Sequence, residues 1–364
     1  MEILVLGGSN AGLHYGWAAQ FRAIAAEHDV TNRFLGAVGS LYGLMRLLRL
    51  GESGEPLPGL VIFEYALNDA VMLDAGWLRA DLLEDTLREV AELCHARGLP
   101  LLLLCLELKP RGIARIDAAT RRSMRCYERL AERHALHPCV TLQEALGGVR
   151  PEDYVDQKHL NEQASIRVAG YVAKIVRSET IPIPRAVAAP RPFFRFVHAH
   201  EAQRRGPCRE VAIESTVYCD DFLEISRGGA SLWPGRGRVV GLMLRSTETA
   251  GVFRLAAGAS RLRKTAQTAI REVLPKVMLL HYVEKQPIAK DDLEISMPLD
   301  EAALMTLSED PSLHGAPAEG RFEEQQLEIA GVMFWSGSSW LRRMLAALAM
   351  RLDARLPWLA RRLG

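Results

Sequence analysis

In the first half of the chain, short continuous apolar runs alternate with stretches of helical spacing. The runs lie at 2–6, 30–35, 60–65, 101–106 and, more weakly, 139–142. Between them, segments 13–27, 41–50, 78–96, 113–134 and 162–176 repeat their apolar residues at helical intervals. Strands without polar alternation need cover on both faces, so the pattern predicts an α/β fold with a five-stranded parallel sheet between layers of helices. In sheets of that kind ligands bind beyond the carboxyl ends of the strands, where the loops gather.

The pattern then changes. Ile181-Pro182-Ile183-Pro184 through Pro190-Arg191-Pro192 interrupts the alternation, because proline fixes φ and removes ladder donors. Beyond it the period falls to two. Segments 211–215, 222–225, 239–245, 252–255, 277–283, 293–297 and 326–334 read as short strands between Gly, Pro and Asp turns, and predict an all-β sandwich. Segment 260–274 reads as a helix inserted among them. From Ser338 onward, Leu341, Leu345, Leu348, Leu352, Leu356, Leu359 and Leu363 recur at helical spacing, with arginines mostly off that stripe. This predicts a basic amphipathic helix, kinked at Pro357, whose leucines would pack on the chain's own β domain, on a second copy of the chain, or on an anionic membrane surface. The expected boundaries are 1–180 for the α/β domain, 181–195 for a Pro-rich linker, 196–337 for the β-sandwich-like domain and 338–364 for the helix.

Composition narrows the partners. The 364 residues are 49% hydrophobic and 24% charged, ordinary for folded globular domains. A formal net charge of +1 gives no global field to attract nucleic acid, and no run interleaves basic with aromatic residues. No nucleic-acid partner is expected. Cys94, Cys105, Cys126, Cys139, Cys208 and Cys219 lack paired short spacings and read as reduced thiols. The opening Met1-Glu2-Ile3-Leu4-Val5-Leu6-Gly7 reads as a strand rather than a signal segment. The expected location is the cytoplasm, extended to peripheral contact with the inner membrane face through residues 338–364, with a homo-oligomer as the other use of that helix.

Four places in the α/β domain carry chemistry. A serine hydroxyl needs a base to take its proton, a group to orient the base, and donors for the oxyanion that forms. Ser9 follows the first strand in Gly7-Gly8-Ser9-Asn10, where small residues permit a sharp turn and leave the hydroxyl exposed at a helix start. Asp156-Gln157-Lys158-His159 places an acid three residues before a histidine at the mouth of a helix. Gly36-Ala37-Val38-Gly39 after the second strand offers a bare backbone N–H at Gly39, and Asn68 presents a side-chain amide after the third. Taken singly, these are an N-cap serine, a surface histidine, a cap glycine and a turn-forming asparagine. Together they lie at one edge of one predicted sheet.

Other signals are weaker. Val197-His198-Ala199-His200 lacks a third ligand at metal-site spacing, so no metal is expected. The opening glycines match no nucleotide fingerprint, so no cofactor is expected. Trp233 looks exposed and suited to stacking on a sugar, although tryptophan in a strand-rich domain is more often core.

The order of Ser9 in a Gly-rich first block, Gly39 in the second, Asn68-Asp69 in the third and Asp156-x-x-His159 in the last resembles the SGNH, or GDSL-type, hydrolase and acyltransferase superfamily over about residues 1–178. The resemblance implies a Ser9 nucleophile, a His159 base oriented by Asp156, and an oxyanion hole of Ser9, Gly39 and Asn68. Gly8 stands where the family usually has Asp, and Ala66 where it usually has Gly. The family spans esterases, lipases, deacetylases and sugar O-acyltransferases. The implied activity is therefore a carbohydrate esterase or O-acyltransferase acting on acyl, foremost acetyl, esters of a glycan or glycan precursor. The alternative is a non-catalytic relative serving as a glycan-binding or assembly protein at the membrane face, a reading motivated by Gly8 and Ala66.

Overall fold

Strand β1 (Glu2–Gly7) is buried over five of its six residues, and β3 (Leu60–Glu64) and β4 (Leu101–Cys105) are buried throughout. Flanked by β2 (Asp29–Asn32) and β5 (Cys139–Thr141), they form a five-stranded sheet in the order β2-β1-β3-β4-β5, with every pairing parallel. The chain runs outward from β1 to β2 and then returns to the other side of β1 for β3. That reversal puts the switch point of the strand order at the carboxyl ends of β1 and β3, the place where doubly wound sheets bind ligands. The structure, a computed structural model, describes residues 1–337 apart from 53, 55, 111, 113, 138, 179, 188–192, 215–217, 248, 268–276, 313–314 and 317–320. The helix expected over 338–364 and the Pro190-Arg191-Pro192 segment lie outside the described residues.

The described residues divide into two units, the second being Phe193–Gly337. In the first, the sheet is covered by α1 (Ser9–Gly12), α2 (Trp17–Ile24), α3 (Ser40–Arg49), α4 (Ala66–Ala75), α5 (Ala80–Ala96), α6 (Ala114–His134), α7 (Leu142–Leu146) and α8 (Glu162–Ser178). The helix expected over 13–27 is shorter, α2 covering only Trp17–Ile24, with a separate α1 before it. Gly16 caps α2 in an extended conformation, and a Cβ there would lie 2.2 Å from the Asn10 carbonyl, so the chain folds back on itself between α1 and α2. Helix α4 was not foreseen: Ala66, Leu67, Asn68, Asp69 and Ala70 are all buried, which leaves no polar face for periodicity to reveal. The backbone of the Pro-rich segment lies along this unit, with Leu101 N–H donating to the Pro182 carbonyl and Arg185 N–H to the His134 carbonyl.

The second unit is built of two sheets. One runs Ser308–Glu309, Ser260–Thr265, Val252–Ala257, Asp292–Ser296, Ala230–Pro234 and Gln203–Arg205 in spatial order, antiparallel except for its first pair. The other centres on Gly237–Ser246 and Gln326–Trp335, which pair antiparallel. One hydrophobic cluster takes Trp233, Phe253 and Ile295 from the first sheet and Leu223, Leu242 and Ile329 from the second, so the sheets share a core as a sandwich does. Segment 260–265 is a strand and not the start of a helix, and 268–274 lies outside the described residues. Strands Phe194–His198 and Ala230–Pro234 were not foreseen. Trp233 is fully buried, its indole N–H donating to Ser231 Oγ at 2.8 Å, so it offers no sugar-stacking face.

No helix among the described residues is long and apolar enough to cross a membrane.

Candidate active site

Ser9 is the first residue of α1, directly after β1, and Gly8 is the N-cap. The loop after β2 is held beside the end of β1 by Arg33 N–H to the Val5 carbonyl and Leu35 N–H to the Gly7 carbonyl. This carries Gly36 past the Ser9 turn, where a Cβ would lie 3.8 Å from Ser9 Cβ. Ala37 then adopts a left-handed φ of 57°, a costly conformation for alanine that turns the loop before Val38 and Gly39. The Val38 carbonyl accepts a 2.7 Å hydrogen bond from Asn68 Nδ2 in the first turn of α4. Gly39 caps α3.

His159 reaches Ser9 from a segment 150 residues further along the chain. Its Nε2 lies 2.9 Å from Ser9 Oγ, and its Nδ1 lies 2.7 Å from Asp156 Oδ2. A carboxylate only accepts, so Nδ1 carries the ring proton and Nε2 is left as the acceptor for the Ser9 hydroxyl. Asp156 Oδ1 also accepts from the Lys158 and His159 amides at 2.6 and 2.8 Å. Burial alone would raise the Asp156 carboxyl. The hydrogen bonds from His159 and the two amides outweigh it, and hold the group below the usual carboxylate value. The structure thus brings Ser9, His159 and Asp156 into one hydrogen-bonded line, with Gly39 and Asn68 on the two adjoining loop ends.

Two buried acids lie behind this line to which the sequence reading gave no role. Glu64, the last residue of β3, accepts from Gly8 N–H at 3.3 Å, and its burial pushes the carboxyl up to about 8. Asp69 accepts from the Ser40 amide and hydroxyl at 2.8 and 3.0 Å and from the Tyr127 hydroxyl at 2.8 Å, tying α3 and α6 to α4. Its carboxyl is pushed up to about 7, again by burial. The available signal was position: an acid ending an otherwise apolar strand, and another directly after Asn68.

Similarity to solved structures bears on the whole chain. The crystal structure of a two-domain esterase (CEX) active on acetylated mannans matches with a TM-score of 0.55 at 17% identity, covering 93% of this chain and 92% of that one. A crystal structure of a two-domain esterase (CEX) active on acetylated mannans, co-crystallised with mannopentaose, matches with a TM-score of 0.56 at 16% identity, covering 93% and 91%. The fold of the first unit, a five-stranded parallel sheet with helices, is SGNH-like. No family model matches the sequence, and no curated protein does.

Gly8 and Ala66, the two positions that differ from the resembled motif pattern, both have local reasons. A Cβ on Gly8 would lie 2.4 Å from Asn68 Oδ1, so only glycine lets the Asn68 amide settle on this turn. Ala66 begins α4 and is not among the residues with positive φ, so no glycine is required there. In the second unit, His198 and His200 stack with ring centroids 5.2 Å apart, and no group of three metal-ligating side chains occurs among the described residues.

Proposed function

We propose that the chain is a serine ester hydrolase that removes acyl groups, acetyl foremost, from a glycan or glycan precursor. The observation that carries this reading is the unbroken line from Ser9 Oγ through His159 to Asp156, at 2.9 and 2.7 Å. Ser9 Oγ attacks the acyl carbonyl while His159 Nε2 takes its proton. Asp156 holds the imidazolium that results. The carbonyl oxygen becomes an anion, received by the Ser9 and Gly39 amides and by the Asn68 Nδ2 hydrogen that does not bond Val38. His159 then gives its proton to the sugar oxygen as the bond between that oxygen and the acyl carbon breaks, so the sugar leaves as its hydroxyl and an acyl-enzyme remains on Ser9.

Water resolves the acyl-enzyme in a hydrolase. A second sugar hydroxyl resolves it in an O-acyltransferase. The two-domain esterase with the same architecture is active on acetylated mannans, which supports an acetylated polysaccharide as the substrate class.

The test is a fluorophosphonate probe on the purified full chain, with mass-spectrometric location of the label and His159→Ala as control. Labelling at Ser9 that depends on His159, with acetate released from an acetylated glycan, is the expected result. Transfer of acetyl to an added sugar would redirect the proposal to an acyltransferase. A protein that stays unlabelled under conditions that label a known serine esterase would overturn it in favour of glycan binding without catalysis.

A further inference from the structure

The proposed hydrolysis places His159 at hydrogen-bond distance from Ser9, yet His159 stands on neither a helix nor a strand. Most of the bonds that shape its segment are local. The His159 N–H donates to Asp156 Oδ1 at 2.8 Å, and its carbonyl accepts from Val155 N–H at 3.0 Å. Lys109 N–H donates to the Gln157 carbonyl at 3.2 Å, which ties the segment to the loop after β4. None of these bonds reaches the nucleophile turn.

Asn10 does. It follows Ser9 in α1 and is 2% exposed. Its Nδ2 donates to the Lys158 carbonyl at 2.9 Å, and its Oδ1 accepts from Leu160 N–H at 2.9 Å. In extended chain, a residue's own N–H and C=O face one edge, while the preceding C=O and the following N–H face the other. His159 directs its own pair at Asp156 and Val155, and its neighbours direct theirs at Asn10. The Asn10 carboxamide therefore pairs with this segment as one residue of an adjacent strand would through its own N–H and C=O. Its turn is braced in its own right by Asn32 Nδ2 donating to the Ala11 carbonyl at 2.8 Å.

We propose that Asn10 is a positioning residue that sets the Ser9–His159 distance by clamping the backbone on both sides of His159. The inference rests on the hydrolase reading and goes beyond the triad. Asn10 touches no reacting atom; it fixes the base against the nucleophile through two bonds that only a side chain with both a donor and an acceptor can make. Aspartate keeps the acceptor for Leu160 and loses the donor for Lys158. Alanine loses both.

The test compares wild type, Asn10→Ala and Asn10→Asp in the full chain by rate of fluorophosphonate labelling at Ser9, by kcat and KM on an activated acetyl ester, and by residue-resolved hydrogen exchange. A base displaced by about 1 Å costs roughly 100-fold in rate, so Asn10→Ala is expected to label about 100-fold more slowly, with kcat reduced and KM unchanged. Its Leu160 amide should exchange faster while the His159 amide, held by Asp156, keeps its protection. Asn10→Asp should also label slowly but retain protection at Leu160, and it decides the matter if the alanine variant does not fold. Wild-type labelling rates in folded Asn10→Ala or Asn10→Asp would overturn the inference. A wild type that itself fails to label would overturn the hydrolase reading, and is told apart because the failure precedes any substitution.

Discussion

The Asn68 carboxamide rests on the Cα of Gly8: a Cβ at Gly8 would meet Asn68 Oδ1 at 2.4 Å and Nδ2 at 2.7 Å. Gly8 is therefore coupled to the proposed oxyanion donor, and an aspartate side chain at position 8 would push that donor aside. Gly8→Asp is expected to lower the rate on an activated acetyl ester by about 100- to 1,000-fold, the usual cost of losing one oxyanion donor. Gly8→Asp and Asn68→Ala should then be no worse together than either alone. A Gly8→Asp variant faster than wild type would refute the coupling.

Asp156 yields a sharper expectation, because its two oxygens have separate tasks. Oδ1 accepts from the Lys158 and His159 amides, and Oδ2 faces His159 Nδ1. In Asp156→Asn the two amides keep the oxygen on their side, which turns the new NH2 toward Nδ1. The ring must then accept at Nδ1 and carry its proton on Nε2, the wrong tautomer for taking a proton from Ser9. Steady-state kinetics should give a loss of about 10,000-fold in kcat with the melting temperature near that of wild type. A loss under about tenfold would mean that Asp156 does not set the tautomer.

Much of the first unit was legible because β1, β3 and β4 are apolar on both faces and their helices, α5 above all, are apolar on one. Helix α4 carries none of that contrast, since its first five residues are all buried. The spacing of Ser9, Asp156 and His159 made them candidates in the sequence, whereas Asn10, Glu64 and Asp69 meet their partners on segments distant in the chain. In the second unit, Ser260–Thr265 was misread because its inward position 264 is a lysine, fully buried against Asp310 at 2.8 Å. A buried ion pair removes the alternation by which a strand is recognised. No local pattern announces a partner 46 residues away.

Glu64 predicts how stability responds to pH. Burial, followed in smaller part by the charge of Asp69, raises its carboxyl from 4.5 to about 8, while the Gly8 N–H bond opposes the shift. The folded state thus favours the protonated acid. The contribution to stability is fully present below about pH 4.5 and is lost as pH rises through about 8. Asp69, raised from 3.8 to about 7, acts in the same direction. Chemical denaturation of the first unit between pH 4.5 and 8 should show stability falling with pH, and Glu64→Gln should flatten the fall while leaving the part due to Asp69. An unchanged slope in that variant would show that Glu64 is not the titrating group.

Trp233 separates packing from recognition in the second unit. Its ring is fully buried, it belongs to the cluster shared by both sheets, and its N–H bonds Ser231 Oγ. Removing such a side chain leaves a cavity that the surrounding strands fill only partly, at a cost of about 3–5 kcal/mol. Trp233→Ala should therefore lower the denaturation midpoint of the second unit. Ser9, Asp156 and His159 all belong to the first unit, so the rate of Ser9 labelling, measured below the transition, should stay at the wild-type value. A folded Trp233→Ala protein of wild-type stability that had lost affinity for a glycan would reverse the assignment and make Trp233 a contact residue, because a core tryptophan cannot be deleted without loss of stability.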